Sequence, residues 1–235
     1  MIKSILVALD GSEHAAAALE YALWMAERTR GRVTGLHVVD IVSIEGSFMH
    51  DISGSLGFEP YLDFSAKMRE ALRERGDVLL DAFDARCRER SIASDRVLGM
   101  GIVANEICEH ARLADLVAIG HRGINEQFST GLLGSTTESV TRKSPKPVFV
   151  SPMRFVEPKR PLLAYDGSPR SSMATGSWSF VSQVIETPGG GSLSSSSSSA
   201  WLSPRGRQLN HSMSPASMPY RSFSVTFIHS AAVMQ

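Results

Sequence analysis

Cysteine is nearly absent from this chain: two residues in 235, Cys87 and Cys108, 21 positions apart. That separation is neither a zinc-ligand spacing nor a redox pair, and two thiols build no disulfide framework. The plain reading is two thiols packed on helices. Charge of either sign is also lacking in excess, with 24 basic and 24 acidic residues and a net charge of zero. A neutral balance gives no electrostatic case for nucleic acid or for an anionic membrane surface. Long apolar runs are missing as well. None approaches the ~18 residues of a membrane-spanning helix. The first one, Ile5–Leu9, is too short for the core of a signal peptide and stops at Asp10. The expected compartment is the cytoplasm. At 43% hydrophobic residues, there is ample material for a packed core.

What is present alternates. Ile5–Leu9 is a continuous apolar run, as in a strand buried on both faces. Ser12 can cap a helix from Ala15 to about Arg28, with Leu19, Leu23 and Ala26 on its apolar stripe and Gly31 at its end. Val33–Val39 is a second strand. A long stretch of turn-type residues, Asp40–Asp63, follows, and a loop of that length in a compact domain is commonly functional. The spacing of Met68, Leu72, Leu79, Leu80, Phe83 and Cys87 predicts a helix over about Phe64–Arg90. Strand Arg96–Met100, helix Ala104–Ala111, strand Leu116–Ile119, helix Ser135–Lys143 and strand Val148–Val150 complete the series. Four βα units and a last strand predict an α/β fold, an open parallel sheet with right-handed crossovers and helices on both faces, closing by residue 153.

The chain then begins again. "LLAYDGS" from Leu162 repeats "LVALDGS" from Leu6 at an interval of 156 residues, too long for a solenoid. Residues 154–174 read as the stub of a second, incomplete copy. Residues 175–235 contain only four charged residues and 17 serines, six of them consecutive (Ser194–Ser199). This segment is expected to be a Ser-rich, disordered tail. Its scattered aromatics and missing charge fit a reading frame shifted near Arg170–Thr175 in a two-domain ancestor; a natural Ser-rich linker or partner-binding tail is the alternative.

The chemistry concentrates between Ile119 and Pro152. Gly120 and Gly123 allow a sharp turn and close approach of a ligand to the backbone. Gly134, Ser135, Thr136 and Thr137 open a helix, whose unsatisfied N–H groups and dipole form an anion site. Arg122, between the first two glycines, offers a fork of donors for phosphate. In an open parallel sheet, ligands bind at the carboxyl ends of the strands where the order reverses. Asp10-Gly11-Ser12 after strand one and the Gly120–Gly134 loop after strand four should therefore face one crevice, with Val38 and Val39 as an apolar wall for a flat base. Each element also has a plainer reading. The Asp-Gly-Ser turn can be a helix cap alone, the glycine loop an empty relic, and Arg122 a solvated charge. His121 lacks a paired nucleophile, and His37 reads as a hydrogen-bonded strand residue. No Gly-x-x-x-x-Gly-Lys-Ser/Thr occurs, which argues against a P-loop ATPase.

The residues "ILVALDGS" (5–12), "LHVVD" (36–40), "ADLVAIGHRG" (114–123), "GLLGSTTESVTRKSPKPVFVSP" (131–152) and the second "LLAYDGS" together resemble the universal stress protein family of the UspA type. The family spaces its glycines as Gly-x2-Gly-x9-Gly-Ser/Thr; here ten residues separate Gly123 from Gly134, suggesting the longer loop of tandem-domain relatives. The resemblance implies a Rossmann-like five-stranded sheet of order 3-2-1-4-5, a homodimer through the edge strand Val148–Val150, and a role in stress response. It implies binding of ATP or a related adenine nucleotide; on the nucleotide-binding reading, Mg²⁺ would sit near Asp10. Carried over by position, the nucleotide contacts are Ala8, Asp10, Val38, Ile119, Gly120, Arg122, Gly123, Gly134, Ser135, Thr136 and Thr137. No catalytic residue is assigned. A protein-interaction module with a vestigial crevice, or a weak ATPase, are the other readings.

Overall fold

The computed structural model describes residues 2–40, 58–124, 133–158 and 226–228. The order is β1 (Ser4–Ala8), α1 (Glu13–Thr29), β2 (Arg32–Asp40), α2 (Phe58–Glu89), β3 (Ser94–Gly101), α3 (Val103–Ala111), β4 (Leu116–Gly120), α4 (Ser135–Lys143), β5 (Val148–Ser151) and β6 (Thr226–Ile228). Strands β1 to β5 are parallel in the order 3-2-1-4-5, as the βα alternation predicts.

The central strands β1, β4 and β5 are buried on both faces, and alternate residues feed two cores. Ile5, Val7, Leu116, Ala118 and Phe149 point to one side, where Leu23 and Met25 of α1 meet Leu80, Phe83 and Cys87 of α2. Leu6, Leu36, Val117, Ile119, Val148 and Val150 point to the other, against Ala104, Ile107 and Ala111 of α3 and Val140 of α4. This explains why the strands read as unbroken apolar runs rather than as alternating ones. Two glycines set the distance of α2 from the sheet. A Cβ at Gly35 would lie 2.7 Å from the Phe83 ring, and one at Gly76 would lie 2.6 Å from Leu98 and 2.7 Å from His37.

Three expectations need adjusting. Helix α1 does end beside Gly31, but the left-handed residue is Arg30 (φ 50°). Gly31 is required instead because a Cβ would sit 2.9 Å from the Lys3 carbonyl oxygen. The stretch expected as a loop to Asp63 is helical from Phe58, and residues 41–57 lie outside the described residues. The repeat at Leu162–Ser168 and nearly all of the Ser-rich segment also lie outside them. The last adjustment concerns the sheet edge. Sequence reasoning leaves β5 unpaired and available for a homodimer, whereas β6 lies antiparallel on it, with Phe149 opposite Phe227. The outward edge of β5 thus faces β6 of the same chain.

Both cysteines lie on helices. Cys87 is fully buried on α2; desolvation, reinforced by the Asp84 carboxylate, pushes its thiol up to about 11. Cys108 on α3 is half-buried, and burial raises its thiol too. After β5 the chain turns back over α1: the Tyr21 hydroxyl donates to the Val156 carbonyl and accepts from its N–H, both at 3.0 Å. Arg28 pairs with Glu157 at 2.6 Å.

Candidate functional site: a crevice over the carboxyl ends of the strands

A cavity of about 380 Å³ opens above the carboxyl ends of β1, β2 and β4. This volume falls in the range of small-molecule sites, about 300–1,000 Å³. The elements contribute different chemistry. Ala8 and Asp10 come from β1 and its turn, Leu36 to Asp40 from β2, and Ile119 and Gly120 from β4. Arg122, Gly123 and Ile124 come from the loop that follows β4, and Gly134 to Thr137 from the start of α4. All eleven residues singled out in the sequence therefore line one cavity.

Asp10 joins its two sides. Its Oδ1 accepts from the Ser12 N–H at 2.9 Å, closing an Asx turn, while Oδ2 accepts from the Ile124 N–H at 3.0 Å. Ser12 caps α1, its Oγ accepting from the Ala15 N–H at 3.1 Å. Gly11 between them has φ +84°, which disfavours any side chain. The cap reading and the crevice reading of Asp10-Gly11-Ser12 are thus both true of one turn.

The three loop glycines are each required by a different neighbour. A Cβ at Gly120 would fall 2.7 Å from Cβ of His14 and 2.8 Å from its carbonyl carbon, so β4 can end there only if it ends bare under α1. A Cβ at Gly123 would lie 2.8 Å from Asp10 Oδ2. At Gly134 it would lie 3.2 Å from the Arg122 Cα, and the Gly134 N–H donates to the His121 carbonyl at 3.0 Å.

Helix α4 begins at Ser135 with no side-chain cap, since its N-cap is Gly134. Its first turn lines the cavity, so the helix dipole and the backbone N–H groups of that turn favour an anion there. Thr137 is 3% exposed, and its hydroxyl donates to the Gly120 carbonyl at 2.8 Å. That bond ties the end of β4 to the start of α4, and it takes the Thr137 hydroxyl out of the set of donors to a ligand. Ser135 and Thr136 line the same cavity.

The wall opposite is apolar. Val38 and Ile119 meet Val103 and Ile107 of α3, which sequence reasoning did not assign to the site, and Leu72 of α2. His37 also lines it. Its Nδ1 is 2.7 Å from the Leu9 carbonyl, and because a carbonyl only accepts, Nδ1 is the donor. His121 is held through its backbone, its N–H donating to the Ser151 carbonyl at 3.0 Å, with its ring 6.0 Å from that of His14. Arg75 of α2 is a further lining residue that the sequence reading left out.

A nucleotide-sized crevice at the switch point of a 3-2-1-4-5 sheet narrows the ancestry, and comparison with known proteins decides it. Residues 1–152 match the model of the universal stress protein family. The chain belongs to that family. This universal stress protein is similar to Slr1230 of Synechocystis, a universal stress protein, at 27% identity over 175 residues; the match spans 71% of this chain and 61% of that one. It thus spans less than two thirds of the length of that relative. It is similar to the universal stress protein YxiE of Bacillus subtilis at 26% identity over 152 residues, 64% of this chain and 99% of that one. In structure it resembles a universal stress protein from Archaeoglobus fulgidus with a TM-score of 0.58 at 22% identity, covering 77% of this chain and 63% of that one. That likeness is one of fold. Among the described residues no helix is long and apolar enough to cross a membrane.

Proposed function

We propose that this universal stress protein binds an adenine nucleotide, ATP in particular, in the crevice over β1, β2 and β4, and acts as a nucleotide-dependent regulator in a stress response. The reading rests on one observation above the others: the uncapped start of α4 opens into the same cavity whose opposite wall is Val38, Ile119, Val103 and Ile107. An anion-binding end faces a slot lined for a flat apolar group, which is the pairing of requirements a nucleotide presents.

Magnitudes make both halves necessary. A helix N-terminus gives an anion roughly 0.3–1 kcal/mol when exposed and ~2 when partly buried. Micromolar affinity needs about 8 kcal/mol. Burial of the base against the apolar wall must therefore carry a large share. Mg²⁺ would enter with the phosphates, because it keeps several waters and is typically held by one or two carboxylates plus substrate phosphates. Asp10 and Asp40 are the carboxylates that line the cavity, and each oxygen of Asp10 already accepts a backbone N–H.

Calorimetric titration of the full chain with ATP, ADP and AMP, with and without Mg²⁺, tests the reading. Saturable heat in the micromolar to submillimolar range is expected, about tenfold weaker in Gly134→Val, whose side chain would crowd Arg122 and the Gly123 backbone. No heat at millimolar nucleotide overturns it.

A further inference from the structure

We infer that Arg75 is a specificity-determining residue of the crevice, a second cation that selects nucleotides by the number of their phosphates. The inference rests on the nucleotide reading above and extends it to the terminal phosphate.

Arg75 sits on α2, and its guanidinium lies over the β1 turn. A Cβ built at Gly11 would be 3.9 Å from Arg75 Nη2. It reaches that place because Gly76, the next residue, lets α2 press against β2 and β3, where any Cβ would strike Leu98 and His37. The helix gives it no counter-ion of its own. The positions three and four residues away are Ala71, Leu72, Val78 and Leu79, all apolar. Toward the end of the same helix Arg86 pairs with Glu20 and Glu89, and Arg88 with Asp84; Arg69, Arg73 and Arg75 have no such pair among the described residues, and of these three Arg75 lines the cavity. Among the described residues no carboxylate pairs with Arg75. Two acids share the cavity with Arg75: Asp40 at the end of β2, and Asp10, whose two oxygens each accept a backbone N–H, from Ser12 and Ile124.

A guanidinium that lines the cavity and has no ion pair among the described residues is arranged for an incoming anion. The start of α4 and Arg122 approach the cavity from the β4 side, whereas Arg75 stands on the side of β1 and α2. A phosphate chain anchored at α4 extends toward Arg75 only if it is long enough. A monophosphate is held at one end; a di- or triphosphate reaches both. The chemical class selected is therefore a nucleoside with two or three phosphates.

Calorimetry of the full-length protein with ATP, ADP and AMP in EDTA reads this directly, comparing the wild type with Arg75→Ala and Arg75→Lys. In Arg75→Ala, ATP affinity is expected to fall about tenfold, the order lost with one charge-assisted contact, while AMP affinity changes less than about twofold. Arg75→Lys, which keeps the charge without the fork, is expected to fall between the two. Unchanged melting temperatures keep the comparison to binding. Equal losses for ATP and AMP, or no loss for either, overturn the role of Arg75 while leaving the nucleotide reading intact. Absence of any nucleotide heat in the wild type overturns both.

Discussion

Replacing Gly120 by alanine adds one methyl at the point where β4 passes under the start of α1. The added Cβ would be 2.7 Å from His14 Cβ, 2.8 Å from the His14 carbonyl carbon and 3.0 Å from the Arg122 carbonyl oxygen. Two of these three neighbours are backbone atoms, which have nowhere to rotate. The start of α1 must move away from β4, or the turn at Arg122 must open. Overpacking of this kind costs about 1–3 kcal/mol. For a domain near 150 residues, each kcal/mol lowers the melting temperature by about 2–4 °C, so Gly120→Ala should melt roughly 3–10 °C below the wild type. Gly99→Ala is the matched control. It adds the same methyl to a buried strand residue, but the nearest atom is 3.4 Å away, an ordinary contact, and its melting temperature should shift by less than about 1–2 °C. Thermal unfolding followed by circular dichroism compares the three proteins. Equal shifts for the two variants, or none for Gly120→Ala, would refute the claim that Gly120 is bare because α1 rests on it.

Three other predictions follow from the core and the sheet edge. Because its thiol is pushed up to about 11 from an ordinary value of 9.0, Cys87 should resist iodoacetamide at pH 8 far longer than a free cysteine, as peptide mass spectrometry will show; fast labelling in the native protein would contradict its burial. The same shift has a stability consequence: the unfolded thiol ionises first, so the contribution of Cys87 is complete below pH 9 and is lost as pH rises through about 11, which denaturant melts at pH 8 and pH 10.5 would detect. At the sheet edge, Phe227→Pro should release β6 from β5 and expose a ladder edge, shifting a monomer toward a dimer in light scattering. A wild-type chain that is already dimeric through Val148–Val150 would contradict the intramolecular pairing.

The fold was legible because each strand carries its own signal. Ile5–Leu9 and Leu116–Ile119 are apolar on both faces, and the helices between them have clear stripes. The crevice was legible where glycine marks it, at Gly11, Gly120, Gly123 and Gly134, since a backbone that must turn sharply or pass close by writes itself into composition. What the sequence hid depends on tertiary distance. Arg75 looks like any exposed helical arginine until Gly76 brings α2 onto Leu98 and His37. Val103 and Ile107 read only as an apolar stripe, although the stripe extends past the core into the cavity. Thr137 looks like a phosphate donor beside Ser135 and Thr136, and only the folded geometry turns its hydroxyl toward Gly120. Strand β6 did leave a trace, the β-branched and aromatic run Val225–Ile228, but its charge-poor, Ser-rich setting concealed it.

The central claim is that the nucleotide sits between the start of α4 and the wall formed by β2 and α3. Amide chemical-shift mapping by NMR during titration of the full chain with ATP tests it most directly. The account predicts that the largest shifts fall on Gly120, Gly123, Gly134, Ser135, Thr136 and Val38, the glycine amides being the easiest to follow. Saturable shifts confined to surfaces away from these residues, or no shifts at millimolar ATP, would contradict it.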